Sequence, residues 1–166
     1  MVSFISNFAN KFNKQPSAHV NDVWIAYKSL KKVSMELMVS KLVSNFAPYF
    51  LSLNPKVERL DEDICIASIS KSKVGEHNGT IQAIAICHGL EFVTRELAEA
   101  SIPKNLSWKT KGMQVNYLAI ADSDIKLIAI SEDEWRVGDV RVKIQAQKMN
   151  GAAVVNGTIT LEVSEI

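Results

Sequence analysis

The chain has 166 residues, enough for one domain with a sizeable core. Hydrophobic residues make up 47 % of it, which excludes an intrinsically disordered chain. Its 19 basic and 18 acidic residues leave a formal net charge of +1, so nucleic acid is not expected as a partner.

Residues 1–16 form an amphipathic segment. Phe4, Phe8 and Phe12 recur every four residues and share one helix face, which Ile5 widens and Pro16 ends. Asn7, Asn10, Lys11, Asn13 and Lys14 interrupt any continuous apolar stretch, so no secretory signal is expected. One reading is a membrane-surface or partner-binding helix, although the polar face carries few cations for the former. The expectation is an arm packed on its own domain or on a dimer mate. Residues 19–46 read as a long helix. Val20, Val23, Trp24, Tyr27, Leu30, Leu37, Met38 and Leu42 keep the three-four spacing, and Lys28, Lys31, Lys32 and Lys41 fill the other side. Asn21 or Asp22 caps its start, and Pro48 prevents its continuation. Residues 1–46 are therefore expected as a helical extension, with the main domain over 47–166. No integral membrane segment is expected, and cytoplasm is the default location.

From residue 49 the period changes. Residues 49–60 and 63–71 are strand candidates, marked by β-branched Val57, Ile64, Ile66 and Ile69. A helix over roughly 80–100 follows, ended by Ser101-Ile102-Pro103. Four further strands are expected at about 110–121, 124–131, 136–149 and 152–164. Val140, Val142, Ile144 and Ala146 alternate with Arg141, Lys143, Gln145 and Gln147, so one face is buried and the other wet. Ala121-Asp122-Ser123-Asp124 and Asn150-Gly151 join neighbouring strands, and Val155, Ile159, Leu161 and Val163 line the last one. The Asn-Gly pairs at 78 and 156 also read as turns. Cys65 and Cys87 form no CxxC motif and read as reduced core thiols. This order predicts an α+β domain: an antiparallel sheet of about six strands wrapped on one central helix.

That helix is the informative element. His77-Asn78-Gly79-Thr80-Ile81-Gln82-Ala83 is a polar turn running into Ile84-Ala85-Ile86-Cys87-His88-Gly89-Leu90-Glu91. A helix apolar on nearly every side is expected to be buried. A carboxylate on it, Glu91, is costly unless it is paired or used. Arg95, one turn later, offers an ion pair as the structural use. His88 lies three residues before Glu91 and shares its face. His19, His77 and His88 lack the spacing of metal ligands.

The element order, the His77-Asn78-Gly79-Thr80 turn at the helix head and Glu91 within the helix resemble the hotdog-fold superfamily over about residues 46–164. The nearer likeness is to the phenylacetyl-CoA thioesterase branch and to a relative with a long N-terminal helix. Pro103-Lys104 and Lys111-Gly112-Met113-Gln114-Val115-Asn116-Tyr117-Leu118 look like that relative's third strand. The branch's pattern runs Asn-x-x-Gly-x-x-His-Gly-Gly, then a carboxylate on the helix. Here Gly79 matches the first Gly and Glu91 the carboxylate. Glu76 stands at the Asn, Gln82 at the His, and Ala83 and Ile84 at the paired glycines.

The resemblance implies an acyl-CoA thioesterase. Glu91 would be the general base or nucleophile, and the Ala83 backbone N–H the oxyanion donor. Gln82 would replace the family His as a hydrogen-bond donor. His77, Asn78, Gly79, Thr80 and His88 would surround the substrate. Coenzyme A enters as part of the substrate and no separate cofactor is implied. Lys109, Lys111, Arg136, Arg141 and Lys143 are candidates for its phosphates. The family combines donor and carboxylate from opposite subunits, which implies a homodimer or a dimer of dimers. One alternative is a non-catalytic acyl- or lipid-binding hotdog protein, favoured by loss of the family His and Asn. A second is an acyl-thioester dehydratase, which pairs a His before the helix with a Glu on it, as His77 and Glu91 are spaced. Those enzymes fill the interval with prolines, and this chain has none between residues 56 and 102.

Overall fold

Short hairpins and long twisted strands account for most of what the computed structural model describes, which is residues 52–72, 74 and 76–166. Both expected N-terminal helices, and the boundary between extension and domain, lie outside these residues. Eight strands and one helix follow in order: β1 (Lys56–Asp61), β2 (Ile64–Ile69), β3 (Glu76–His77), β4 (Thr80–Ile81), α1 (Ala83–Ser101), β5 (Leu106–Tyr117), β6 (Ile125–Ser131), β7 (Gly138–Lys148) and β8 (Ala153–Glu165). Six of the strands form one sheet in the order β1-β2-β6-β7-β8-β5, and β3 and β4 form a separate two-stranded ladder. Every pairing is antiparallel.

The sheet curls around α1. Ala85, Ile86, Leu90, Phe92, Val93, Leu97, Ala98 and Ala100 on the helix are buried against inward residues of the strands, including Leu127, Val142, Ile144, Ile159 and Leu161. The alternation in β7 is as expected, with Val140, Val142, Ile144 and Ala146 buried. Gly89 lies where the helix settles closely on β6: a Cβ there would meet the Leu127 side chain, which would have to shift. A single long helix held in a curved antiparallel sheet is the hotdog fold. Among the described residues, no helix is long and apolar enough to cross a membrane.

Several boundaries differ from expectation. Of the strand expected over 49–60, residues 49–51 lie outside the described residues, 52–55 are not strand, and β1 begins at Lys56, directly after Pro55. The strand expected at about 110–121 runs instead over 106–117, because β8 pairs with it from Leu106↔Glu165 to Tyr117↔Val155. The β3–β4 ladder is too short to leave a period in the sequence. Its loop residues Asn78 and Gly79 have φ of 53° and 72°, the left-handed pair that a two-residue hairpin needs. The Asn150-Gly151 turn is also present, closed by Lys148 and Ala152. Asn156-Gly157 is not a turn: it lies within β8, opposite Asn116 and Val115 of β5. A Cβ at 157 would meet the Gln114 carbonyl, so this glycine permits a close approach of the paired strand β5 rather than a reversal. Cys65 is buried as expected, but Cys87 is only half-buried.

Candidate active site

The β3–β4 hairpin delivers the chain directly to the head of α1. The His77 backbone pairs with Thr80, and Asn78 and Gly79 stand exposed at the tip. Thr80 is half-buried. Two attachments hold this hairpin. The Ile81 N–H donates to the Ala121 carbonyl at 2.8 Å. The Lys71 ammonium donates to the carbonyls of Gly79, at 3.2 Å, and Asp122, at 3.3 Å. Asp122 is itself tied to Lys148 at 2.7 Å, which holds its carboxyl below the usual range.

Gln82 is the N-cap residue, with extended backbone and no side-chain cap bond. Ala83 is the first helical residue, and both are exposed. No acidic side chain lies in the first turn to neutralise the helix dipole. Further along, the less buried stripe of the helix carries Ile84, Cys87, His88, Glu91, Arg95 and Glu99. The expected site residues therefore fall into two groups. His77 to Ala83 gather around the helix head. His88 and Glu91 share the stripe one to two turns beyond it, and both are half-buried.

Arg95, the ion-pair partner expected for Glu91, lays its guanidinium over the Trp108 ring of β5 at 5.1 Å from the centroid. The Trp108 indole N–H donates to Glu99 Oε1 at 3.1 Å. This end of the stripe is thus stitched to the edge strand.

Two features escaped the sequence. The first is Glu96, which is 0 % exposed while Glu91 is not fully buried. Among the described residues, neither Glu96 carboxyl oxygen has a hydrogen-bond partner. Burial pushes its pKa from the ordinary 4.5 to about 8, reinforced by Glu99 and opposed by Arg95. Burial, and then Glu96 itself, raises the neighbouring Cys65 thiol. The expensive carboxylate of the helix is therefore Glu96. The second is Tyr117, whose hydroxyl lies 3.1 Å from Cys87 Sγ. That bond, followed by burial, holds the phenol above its ordinary value, so it stays protonated. Thirty positions separate the two residues, and no local pattern signals the contact.

The candidate phosphate-binding cations are arranged differently. Lys109 pairs with Glu162 at 3.2 Å, Lys111 with Asp139 at 2.7 Å, Arg141 with Asp133 at 3.7 Å and Lys143 with Glu132 at 2.6 Å. Arg141 and Lys143 alternate with buried β7 residues and so face away from α1.

A family model described as a domain of unknown function, DUF4442, matches residues 36–163. No curated protein matches the chain. Among solved structures, the genomics protein APC5556 is 29 % identical with a TM-score of 0.74, over 87 % of this chain and 99 % of its own. AziG of S. sahachiroi is 18 % identical with a TM-score of 0.65, over 72 % and 98 %. The thioesterase HI1161 of Haemophilus influenzae is 15 % identical with a TM-score of 0.66, over 80 % and 91 %.

Proposed function

This chain belongs to the DUF4442 family, and from that premise and its hotdog fold we propose that it hydrolyses acyl-CoA thioesters. The observation that carries the reading is the pairing, on one helix, of an open N-terminus at Ala83 with a half-buried carboxylate at Glu91. First-turn N–H groups have no intrahelical partner, and the dipole adds positive charge beside them. The Ala83 N–H polarises the thioester carbonyl, and Gln82, unused as a cap, donates a second hydrogen bond. Glu91 takes a proton from the water that attacks the carbonyl carbon. The tetrahedral intermediate collapses, the C–S bond breaks, and the leaving thiolate recovers that proton. A thioesterase of the same fold, HI1161, supports the choice of chemistry.

Ala83 and Glu91 are eight residues apart, so about 12 Å separates them along the helix axis. One carbonyl does not meet both within a subunit. The reading therefore joins Ala83 of one subunit to Glu91 of a second copy. Strand β5 supports such an assembly, because among the described residues it has β8 on one side and a 12-residue edge on the other.

The test is thiol release by the purified full chain from short, medium, long and aromatic acyl-CoAs. Turnover that collapses in Glu91→Gln is expected. Tight binding with no turnover would overturn hydrolysis and leave an acyl-binding protein, the reading that Gln82 at the family His position favours.

A further inference from the structure

Tyr117 is the last residue of β5 and continues the inward row of Met113 and Val115, which pack on the core. The core stops before it, and its ring is 53 % exposed. Three more large apolar side chains stand open: Leu118 and Ile120 directly after β5, at 52 % and 66 %, and Ile84 on the first turn of α1, at 58 %. The Ile81 to Ala121 backbone bond ties the segment after β5 to the hairpin that feeds the helix head. The Tyr117 hydroxyl closes the same gap from the other end, at Cys87. Cys87 lies four residues after Ala83, one helical turn along the same face. A phenol is thus placed about one turn from the open helix N-terminus, on a segment that also carries Leu118 and Ile120. Its partner is a thiol, a weak acceptor that a carbonyl oxygen readily displaces.

We propose that Tyr117 positions the substrate: its hydroxyl leaves Cys87 to donate to the acyl-thioester oxygen, while its ring, Ile84, Leu118 and Ile120 receive the acyl group. This deepens the acyl-thioester reading above and rests on it. It makes the acyl group an apolar one, and it casts Cys87 as the resting place of the hydroxyl rather than a participant.

The test uses Tyr117→Phe and Cys87→Ala in the full chain. The readouts are KM and kcat on the best acyl-CoA of the panel, calorimetric Kd for the non-hydrolysable analogues 2-oxoheptyl-CoA and phenacyl-CoA, which keep the carbonyl oxygen, melting temperature, and self-association by light scattering. Tyr117→Phe is expected to raise KM and Kd roughly tenfold at unchanged melting temperature, the scale of one lost hydrogen bond. Cys87→Ala is expected to leave both unchanged or to lower them, since it frees the hydroxyl. Wild-type KM and Kd in Tyr117→Phe would overturn the proposal. So would equal losses in the two variants, which mark a merely structural pair. Weakened self-association with unchanged substrate affinity would overturn it too, by making a second copy the partner of these side chains. If the wild type binds the analogues but turns nothing over, the hydrolase reading falls and Kd alone decides the role of Tyr117. If neither analogue binds, both fall.

Discussion

Glu91 and Glu96 are five residues apart on α1, which turns them about 140° from each other around the helix. One lies on the open stripe and the other in the core. A helix that is apolar on nearly every side carries no phase, so its sequence does not say which of its carboxylates is buried. The helix itself and its polar entry turn are legible; the direction each glutamate faces is set by the curvature of the sheet. The two glutamates predict opposite behaviour. Glu91→Gln should lower hydrolysis by at least about 10²-fold, the range of a positioned acid–base group, with little change in melting temperature. Arg95→Ala is the control that leaves the carboxylate in place. Glu96 keeps its proton to about pH 8 when folded but releases it near 4.5 when unfolded. The folded state therefore binds the proton more tightly, and the stabilising contribution is full below about 4.5. It is lost progressively as pH rises and is gone above about 8. Calorimetry between about pH 5 and pH 9 should show this decline in the wild type and a flatter profile in Glu96→Met, which is also the more stable protein at the alkaline end. Parallel profiles would mean that the core admits the charge.

At the scale of elements, the β7 alternation and the Asn150-Gly151 hairpin are legible because one face of the strand is wet and the turn residues are specific. Asn156-Gly157 misleads because the same dipeptide serves a different purpose. There the glycine is selected by close approach of β5, a long-range constraint that no local window contains. Two glycines of the β5–β8 pair make the point testable. A methyl group added at Gly112, at the irregularity in β5, would have nothing within 4 Å, whereas at Gly157 the obstacle is backbone. Gly112→Ala should be within about 0.5 kcal/mol of wild type by chemical denaturation. Gly157→Ala should cost roughly 2 kcal/mol or more, because a carbonyl in a paired strand cannot swing aside as a side chain can. Equal stability of the two variants would show that β8 relaxes there.

For the molecule as a whole, the order of helix and strands is enough to predict a sheet around one helix, because that is how a helix apolar over most of its surface is covered. Assembly is another matter. Among the described residues the sheet ends on β5, whose long edge is not blunted by proline within Leu106–Tyr117. Light scattering of the full chain at micromolar concentration should give a dimer or a dimer of dimers. A stable monomer would remove both the assembly and the shared site.

The separation of Ala83 and Glu91 along one helix has a consequence that two defective genes would reveal. Ala83→Pro removes the donor N–H at the first helical position, where proline is tolerated, and Gln82 before it is already extended with ψ of 145°. Glu91→Gln removes the base. Each protein alone should be inactive, since every site lacks one part. Co-expressed, half of their pairs are mixed, and in each mixed pair one site inherits a donor from one chain and a base from the other. Two silent alleles should therefore complement each other to about a quarter of normal activity, whereas a site complete within one chain would stay silent at every ratio.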